Sequence, residues 1–516
     1  MAPYAPEMAP ADAFAASRTR MEEMLAHLSG PVMMACTQEV LEDYVTVAGR
    51  ELMRQIMQDQ LDARAVAEER RREVTGADGV VRTRAERGHV RLLATTVGRV
   101  EISRIAYRSP AVKVGNLHVA DAELALPAQL YSRPLQRAVV HEAASGSLRQ
   151  AAQAVERAAG QKIGTRQLME ICVRAAADID AFYTAARQAD RVPADAGELL
   201  VLTCDATDVN MVPAGLRDAT RATAQTHAAA RPQPPSAQLA DRERAGRRRM
   251  ATVTAVYDAA PVARTAADIL PRTPTERAER RREAPRARRR EVHASLTHTA
   301  AGMIAAMFDQ AHSRDPGRRR RWIVLVDGNN HQLERIEHEA ARRGVHVDVI
   351  IDFIHVLEYL WKAAEDLHPT LPARQTLVAA MARILLEGHS SRVIADLRTR
   401  ARARGIDKDN ASTQLPGLQR AITYLTAKQP YLGYDLALAL GWPIATGVIE
   451  GCCRYLIKDR LDVTGARWSL TGAEAVLLLR AAIDNGDFHT YWEYHGRLEH
   501  QRLYTARYQQ NFTTTA

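Results

Sequence analysis

The chain has 516 residues, of which 46% are apolar and 25% are charged, and its formal net charge is +9 with an isoelectric point near 9.4. This length and apolar content indicate a large soluble protein with about three domains, each with its own core. The longest apolar stretches are about eight to ten residues, well short of the ~20 that a membrane span requires. The positive charge suits a polyanionic partner, although net charge alone does not identify one.

Only six of the 70 basic residues are lysines, so arginine, whose planar fork can grip phosphates and guanine edges, supplies almost all the positive charge. The five cysteines form no C-x-x-C pair and no grouping with histidine at zinc spacing. They predict a reducing cytosol and no structural zinc. The first residues have no basic segment leading into an apolar core, so no secretory signal is expected.

The N-terminal region, residues 1–75, has helical spacing of apolar side chains over residues 12–73 and ends in a charged run at 68–73. It predicts a helix that could pack on another copy of the chain. The next region, residues 76–130, predicts two strands, at 89–96 and 99–107, that form a β-hairpin. Four arginines lie along this hairpin: Arg91, Arg99, Arg104 and Arg108. A basic ribbon of this kind could lie on DNA, and a solvated face of a small sheet is the equal alternative.

Residues 131–192 predict helices at 135–144, 148–159 and 165–174, with a break at 160–164. A helix-turn-helix would follow, in which Thr165 caps the second helix and places Arg166 and Gln167 near its N-terminus, where a recognition helix meets base edges. The break is longer than the usual turn, so an ordinary helical hairpin is the alternative.

From about residue 193 the pattern predicts an α/β domain. An apolar run at 201–204 leads into the single acid Asp205, and a second run at 322–326 leads into Asp327, 122 residues later. Each predicts a buried strand that ends in a carboxylate. The remaining elements predicted up to residue 440 are strands at 250–257, 292–296 and 346–351, helices at 299–312 and 331–343, and helices almost throughout 353–440.

Two polar stretches interrupt this domain, at 228–248 and 276–290, and both are rich in arginine. The first predicts an exposed loop. The second is a candidate for phosphate contacts, and a charged loop that contacts nothing specific is the alternative.

A third acid, Glu450, lies 123 residues after Asp327, in the first turn of a predicted helix that Thr446 can cap. Arg454 and Lys458 follow at steps of four, so the three side chains would share one helix face, with a drift of only about 40° per step. Such a stripe suits a metal ion beside a DNA phosphate, and an exposed salt-bridged face is the alternative.

Two aspartates on strand ends and one glutamate on a helix offer carboxylate oxygens that suit Mg²⁺ or Mn²⁺. Two such ions roughly 3.5–4 Å apart can stabilise both the attacking and the leaving oxygen of a phosphodiester. A strand-rich first half, a strand–helix–strand unit and a late helix with an acid also follow an RNase H-like order.

Several ordered blocks of the chain resemble the ISKra-four family of bacterial insertion-sequence transposases, over roughly residues 35–500. The blocks are Asp205 and residues 249–257, 326–332, 352–364, 447–454 and 465–469. The resemblance implies an α/β fold with an RNase H-like mixed-sheet catalytic domain (193–352 and 441–495), an all-helical insertion (353–440), a mainly helical N-terminal region and a C-terminal tail (496–516).

The resemblance also implies a DDE transposase that acts on the ends of its own insertion sequence. Asp205, Asp327 and Glu450 occupy the places of the catalytic triad and would hold two Mg²⁺ or Mn²⁺ ions in each active site. Water would cut the strand to leave a 3′-hydroxyl, which then attacks target DNA. The expected partners are double-stranded DNA, both element ends and target, and at least one further copy of the chain, in the bacterial cytoplasm near the nucleoid and with no membrane.

Other residues within the blocks are weaker candidates. His331 could orient a water or a phosphate, or else belong to a helix start; Asp352 and His355 could line the site, or else pack as structural groups. Arg467 and Trp468 offer a cation and a ring that could stack on a splayed base, whereas Trp468 could equally be core. Asp208 could support the triad from behind or belong to a loop.

Two other functions use part of the same pattern. An RNase H-like nuclease or junction resolvase would use the same carboxylates without an N-terminal reader of a particular end sequence. A non-enzymatic DNA-binding regulator would explain the helix-turn-helix and the arginines, but not three acids in strand and helix contexts.

Overall fold

The computed structural model describes residues 13–189, 197–229, 248–270, 275, 277, 278, 284–404, 415–463 and 466–507. Across these residues, no helix combines the length and apolar character needed to cross a membrane. The chain divides into two compact units, one of Met1–Phe182 with Asp487–Ala516 and one of Tyr183–Gly486. This division is coarser than the regions expected from the sequence, and it places residues 487–495, expected in the catalytic part, in the first unit.

The described strands are β1 (Val74–Thr75), β2 (Val81–Arg82), β3 (Arg84–Ala94), β4 (Arg99–Arg108), β5 (Leu199–Asn210), β6 (Arg248–Ala259), β7 (Ala287–Ser295), β8 (Trp322–Val326) and β9 (Asp348–Ile351). The first ten α-helices are α1 (Ala15–Leu28), α2 (Pro31–Met34), α3 (Gln38–Ala67), α4 (Val119–Glu123), α5 (Arg133–Ser145), α6 (Leu148–Ala159), α7 (Thr165–Ala175), α8 (Ile179–Ala189), α9 (Asp218–Ala229) and α10 (Ala266–Ile269). The later ones are α11 (Ala300–Arg314), α12 (Asn330–Arg343), α13 (Phe353–Leu367), α14 (Leu371–Leu386), α15 (Ser390–Arg402), α16 (Pro416–Lys428), α17 (Tyr434–Ala439), α18 (Gly447–Cys453), α19 (Leu470–Asp484) and α20 (Phe488–His500).

The prediction of helix over 12–73 is confirmed up to Ala67, where the structure has the three helices α1, α2 and α3. The chain breaks between α1 and α2 at Gly30, since the residue before a proline is disfavoured in the α conformation, and α3 starts at the N-cap Thr37. The charged run 68–73 lies beyond the end of α3. Apolar side chains exposed on α1, α2 and α3 are Met21, Leu25, Val32, Met34, Val40, Leu41, Val45, Val47, Met53, Ile56, Met57 and Val66. The expected contact with another copy stays a prediction.

The predicted β-hairpin is confirmed, with β3 and β4 antiparallel. Its arginines, however, mostly bind groups of the protein itself. Arg104 forms two hydrogen bonds of 2.6 Å with the Asp121 carboxylate, and Arg91 donates to the Gln129 carbonyl at 2.7 Å. Arg108 pairs with Glu86. Three of the four arginines are therefore bound within the protein while Arg99 is exposed, and the expected contact with DNA stays a prediction.

The three helices predicted in residues 135–174 are confirmed as α5, α6 and α7, and α5 packs against the other two. Ser147 forms a capping box at the start of α6, and Gly160, at φ +66°, ends that helix. The N-cap of α7 is Gly164 and not Thr165, which is the first residue of the helix.

The C-terminal tail expected over 496–516 begins as helix, in α20 and a π-helical turn at Gln501–Thr505. Within the first unit, the Asp178 carboxylate accepts hydrogen bonds from Arg502 at 2.8 and 2.9 Å and lies 2.6 Å from His495 Nδ1. Burial raises the pKa of Asp178, but these hydrogen bonds outweigh burial and lower it.

The second unit contains a five-stranded mixed sheet in the order β7-β6-β5-β8-β9. The strands β7, β6 and β5 are antiparallel, whereas β5, β8 and β9 are parallel. The predicted strands at 250–257, 322–326 and 346–351 are confirmed to within two residues at each end, and β7 starts five residues before the predicted 292.

The prediction that the first strand ends at Asp205 is wrong. Its pairing with β8 ends at Thr203 opposite Leu325, but its pairing with β6 continues past Asp205 to Asn210. Asp205 therefore lies where β5 separates from β8 and stays bound to β6.

Part of the two arginine-rich stretches lies outside the described residues, at 230–247, 276 and 279–283. Several arginines of the described part pair with acids, and the expected phosphate contact stays a prediction. Three arginines predicted in the second stretch belong to β7 and pair with acids: Arg288 with Glu198, Arg289 with Asp258 and Arg290 with Asp484. From the first stretch, Arg248 pairs with Asp208 at 3.1 Å, which gives Asp208 a structural partner.

The helices predicted in 353–440 are confirmed as α13 to α17, apart from residues 405–414, which lie outside the described part. Their apolar side chains belong to the same core as the sheet. This core joins Val324 of β8 and Phe308 of α11 to Leu360 of α13, Leu385 of α14 and Leu425 of α16. The helical segment is therefore an integral part of the second unit.

Candidate functional site

Asp205 and Asp327 are brought to the same edge of the sheet by the register of β5 and β8. These parallel strands pair with a constant offset, from Leu200 opposite Trp322 to Thr203 opposite Leu325. Asp205 and Asp327 each lie two residues further on, so the same offset applies to them. Paired strands lie about 4.8 Å apart, and the two acids each follow the last paired residues, Thr203 and Leu325, at the same edge of the sheet.

Asp205 is half-buried, and two neighbours contact its carboxylate. The Ala206 amide donates to Oδ1 at 2.7 Å, and the Cys453 thiol donates to Oδ2 at 3.5 Å. Burial raises the pKa of the Cys453 thiol, and the negative charge of Asp205 adds to the effect. The thiol therefore stays protonated and acts as a donor to the aspartate.

Asp327 begins the tight turn between β8 and α12. Its Oδ1 accepts a hydrogen bond from the Asn329 amide at 3.0 Å, and its carbonyl accepts one from the Tyr424 hydroxyl at 2.6 Å. Gly328 has φ +89°, in the region that favours glycine. A methyl group there would lie 2.7 Å from the Tyr424 hydroxyl and 2.9 Å from Ile351 Cδ1. Tyr424, a residue of the helical segment, therefore packs directly against this turn.

Glu450 lies in the first turn of α18, a short helix that packs against β5 and β6. Thr446 is at the N-cap position, as predicted, but its side chain does not cap the helix. Its hydroxyl lies 2.7 Å from Asp352 Oδ2 and 3.1 Å from Glu450 Oε1. Instead of capping the helix, the Thr446 hydroxyl therefore contacts the carboxylates of both Asp352 and Glu450.

The three acids are close enough to act on one another electrostatically. Burial raises the pKa of Asp205, and the negative charges of Asp327 and Glu450 raise it further. Like charges collected at a half-buried point disfavour the ionised form and are a frequent mark of functional sites. The structure thus brings the three predicted acids into one neighbourhood, although their catalytic role stays a prediction.

The predicted stripe of Glu450, Arg454 and Lys458 is not regular α-helix. The α-helix ends at Cys453, and Arg454–Lys458 forms a π-helical turn with wider spacing. The side chains of Arg454 and Lys458 are both exposed, and Arg454 lies 3.7 Å from Asp459. The Arg454 amide still donates to the Glu450 carbonyl, and the side chains of Glu450, Arg454 and Lys458 are all exposed, so both cations remain open to a polyanion.

Trp468 is core, so its predicted role in stacking on a base is wrong. Its ring is buried, its Nε1 donates to the Leu461 carbonyl at 3.0 Å, and the Arg460 guanidinium lies 4.7 Å from the ring centre. Its backbone joins the end of β5 through a hydrogen bond from Trp468 N to the Asn210 carbonyl. Arg467, next to it, is exposed and stays a candidate for phosphate contact.

The weaker candidates lie around the acids in different roles. Asp352 is buried at the start of α13, where its carboxylate accepts from the Ile354 amide at 3.0 Å. His331 is exposed in the first turn of α12, and its amide is bound by the cap residue Asn329. His355 is half-buried and packs edge-on against Tyr359 and Tyr424. Of these, Asp352 has the contacts of a residue that supports the site.

In the first unit, the candidate reader of DNA bases lies at the start of α7. The Arg166 side chain is 89% exposed and pairs with Glu170 at 3.0 Å, an exposed contact that contributes little. Gln167 uses its side-chain oxygen to accept from the Gly164 amide at 3.2 Å. Arg166 is therefore accessible to a partner, whereas Gln167 is engaged in capping its own helix.

Sequence reasoning missed two residues next to Asp327. Tyr424 holds the turn, and Lys428, also from α16, is buried and donates to the Asn330 side chain at the start of α12. Burial lowers the pKa of Lys428, and the charge of Asp327 opposes that shift. Both residues come from the helical segment, about 100 residues along the chain, and no local pattern marks them.

The donor set fits a hard divalent cation. Across the described residues, no three His, Cys, Asp or Glu side chains have the spacing of a complete metal site. Mg²⁺, however, keeps several of its waters and binds proteins through one or two carboxylates together with substrate phosphates. Burial, and after it the charges of Asp327 and Glu450, raise the pKa of Asp205, and the three carboxylates have oxygen atoms of the kind that such binding uses.

The chain matches no protein-family model, and no curated protein is significantly similar to it in sequence. The resemblance to insertion-sequence transposases therefore depends on the residues quoted for it alone.

Proposed function

We propose that the protein is a DDE transposase that binds the ends of an insertion sequence and catalyses metal-dependent strand cleavage and strand transfer. The observation that carries this proposal is the register of β5 and β8, which places Asp205 beside Asp327, with Glu450 acting on the same carboxylate. Phosphoryl transfer on DNA by two divalent cations uses acids gathered in this way.

The fold supports an RNase H-like assignment for the second unit. Three antiparallel strands come first, two parallel strands are added on the other side of β5, and a late helix brings the third acid back to β5. This is the order that the resemblance implies, with the helical segment of residues 353–439 placed before the last acidic helix.

Each acid has a distinct role in this proposal. Asp205, on the central strand β5, would be the shared ligand, with Asp327 on one side and Glu450 on the other. Two divalent cations, when bound, would activate the attacking oxygen and stabilise the leaving oxygen of a phosphodiester. Water attacks phosphorus, the bond from phosphorus to the 3′ oxygen breaks, and that oxygen takes a proton. The new 3′-hydroxyl then attacks a target phosphodiester and loses its proton, while the bond from that phosphorus to the target's 3′ oxygen breaks and this oxygen takes a proton.

Positive side chains would hold DNA on each unit. Arg454, Lys458 and Arg467 are exposed in the sequence that follows Glu450, and in the first unit Arg166 is exposed at the start of α7. Phosphate contacts position the DNA, and base contacts specify it. The second copy needed to handle two element ends would meet α1 to α3, whose exposed apolar side chains favour association.

The test is a cleavage assay on the element's terminal repeats and on scrambled repeats, with and without Mg²⁺. Cleavage that needs both Mg²⁺ and the matched repeat, followed by joining to unrelated DNA, is the expected result. Cleavage without joining would indicate a nuclease or resolvase instead. Binding with no cleavage at any Mg²⁺ or Mn²⁺ concentration would indicate a regulator.

Lys458 provides a test of the DNA surface near Glu450. We expect Lys458→Ala to weaken binding to all sequences alike and to lower the slope of log affinity against log salt by about one, since one phosphate contact releases about one counterion. The measurement is binding to matched and scrambled DNA at several salt concentrations. Lys113→Ala, which removes an exposed lysine outside the strands and helices proposed to contact DNA, is the control. An unchanged slope in Lys458→Ala would exclude this phosphate contact.

A further inference from the structure

The helical segment between β9 and α18 begins and ends at one junction within the second unit. The Phe353 amide donates to the Ile444 carbonyl at 2.9 Å, and the Thr446 amide donates to Asp352 Oδ1 at 3.3 Å. Asp352 and Thr446 are only 2% and 5% exposed. The first and last residues of the segment are thus bound together directly behind Glu450.

Asp352 is fixed at this junction by three hydrogen bonds. Its Oδ1 accepts from the amides of Ile354 at 3.0 Å and Thr446 at 3.3 Å, and its Oδ2 accepts from the Thr446 hydroxyl at 2.7 Å. A buried carboxylate needs such donors, and together they fix its position. The Thr446 hydroxyl is therefore bound to a carboxylate, Asp352, whose own position is fixed.

The same hydroxyl lies 3.1 Å from Glu450 Oε1. A hydroxyl has one hydrogen and two lone pairs, so Thr446 can donate to Asp352 or to Glu450 but not to both. Thr446 is β-branched, and its χ1 is restricted. Two carboxylates thus share a single hydrogen on a stiff side chain.

We propose that Asp352 and Thr446 are a positioning pair that prepares Glu450 to bind a divalent cation, an inference that rests on the proposed function. Thr446 holds the long Glu450 side chain when no cation is bound. Asp352 is an alternative acceptor, so the hydroxyl can turn from Glu450 to Asp352 and leave the lone pairs of Glu450 free without an unsatisfied donor. Neither residue contacts the reacting atoms.

Substitutions separate the hydroxyl from the bulk of the side chain. Thr446→Val keeps the shape but removes the hydroxyl, whereas Thr446→Ser keeps it. In Asp352→Asn the amide group can donate to the Thr446 oxygen, which turns the hydroxyl hydrogen towards Glu450. Groups that orient metal ligands typically contribute about 10- to 100-fold to affinity, so we expect Thr446→Val and Asp352→Asn to bind cations that much more weakly and Thr446→Ser to stay close to the wild type.

The experiment measures Mn²⁺ binding by the full-length protein without DNA, from the electron paramagnetic resonance signal of free Mn²⁺. Asp205→Asn is the reference for loss of the site, and thermal unfolding without metal shows which variants are folded. A residue that only supports the fold would lower the unfolding temperature without changing Mn²⁺ affinity in the folded protein.

The outcomes distinguish the pair from the site. If the wild type binds no Mn²⁺, or Asp205→Asn binds it equally well, the proposed metal site itself fails. If Asp205→Asn loses binding while Thr446→Val and Asp352→Asn keep wild-type affinity, only the positioning pair is overturned. An equal loss of Mn²⁺ affinity in Thr446→Val and Thr446→Ser also overturns the positioning pair. If Thr446→Val does not fold, the Mn²⁺ affinity of Asp352→Asn decides whether the pair positions Glu450.

Discussion

Replacing Asp205 with asparagine should reduce DNA cleavage by about 10³-fold or more, since a shared ligand contributes several kcal/mol to charge stabilisation in the transition state. Asparagine keeps the size of the side chain and can still accept from the Ala206 amide, which binds Oδ1 at 2.7 Å. It lacks the negative charge that holds cations. The measurement is single-turnover cleavage of a matched end with Mg²⁺, and DNA binding by the same variant should be retained.

The same substitution should stabilise the protein when no divalent cation is present. Burial and the charges of Asp327 and Glu450 raise the folded-state pKa of Asp205 above its unfolded value of about 3.9. The ionised form therefore costs stability in full above the folded pKa, and this cost disappears as the pH falls below the unfolded value. At pH 7, Asp205→Asn should unfold at a higher temperature than the wild type in the presence of a chelator.

Asp208→Asn is a matched control on the same strand, because Asp208 pairs with Arg248 at 3.1 Å and belongs to no group of acids. It should keep cleavage close to the wild type and show no such gain in stability. Cleavage that survives in Asp205→Asn would contradict the DDE assignment.

Replacing Gly328 with alanine should damage the site through the backbone. The residue has φ +89°, and the added methyl would lie 2.7 Å from a Tyr424 hydroxyl that is itself bound to the Asp327 carbonyl at 2.6 Å. Strain at such a position costs about 1–3 kcal/mol, and a displacement of about 1 Å in a ligand can lower the rate about 100-fold. We expect a lower unfolding temperature and cleavage reduced by roughly that factor.

A second substitution tests the cause. Adding Tyr424→Phe to Gly328→Ala removes the hydroxyl oxygen closest to the new methyl, so part of the lost stability should return. Gly451→Ala, on α18 next to Glu450, is the control, because nothing lies within 4 Å of a methyl group there. If Gly328→Ala behaves like Gly451→Ala, the turn does not set the position of Asp327.

The sequence predicted those parts of the fold that local patterns determine. Apolar runs marked β6, β8 and β9, and helical periodicity marked α5 to α7 and α13 to α17. The two acid-terminated apolar runs predicted buried strands at Asp205 and Asp327, but the parallel pairing of β5 with β8 came from the structure.

What the sequence did not show depends on contacts between distant residues. The continuation of β5 past Asp205 is set by its pairing with β6, and the burial of Trp468 by its contacts with Leu461 and Arg460. The π-helical turn after Glu450 has no sequence signature. Tyr424 lies at the site because of how the helical segment folds, which periodicity alone could not predict. Thr446 was expected only as a cap, and its contact with Glu450 was not predicted.

The composition of the first unit has a consequence for the order in which the chain folds during synthesis. Its residues come from both ends of the given chain: Tyr491 of α20 donates its hydroxyl to the Ala175 carbonyl, and Arg502 of the π-helical turn after α20 donates to Asp178. A ribosome therefore releases all of the second unit before the first can close around its last helix. A premature stop codon shortly after residue 486 would leave the three acids in the product but remove the C-terminal part of the first unit.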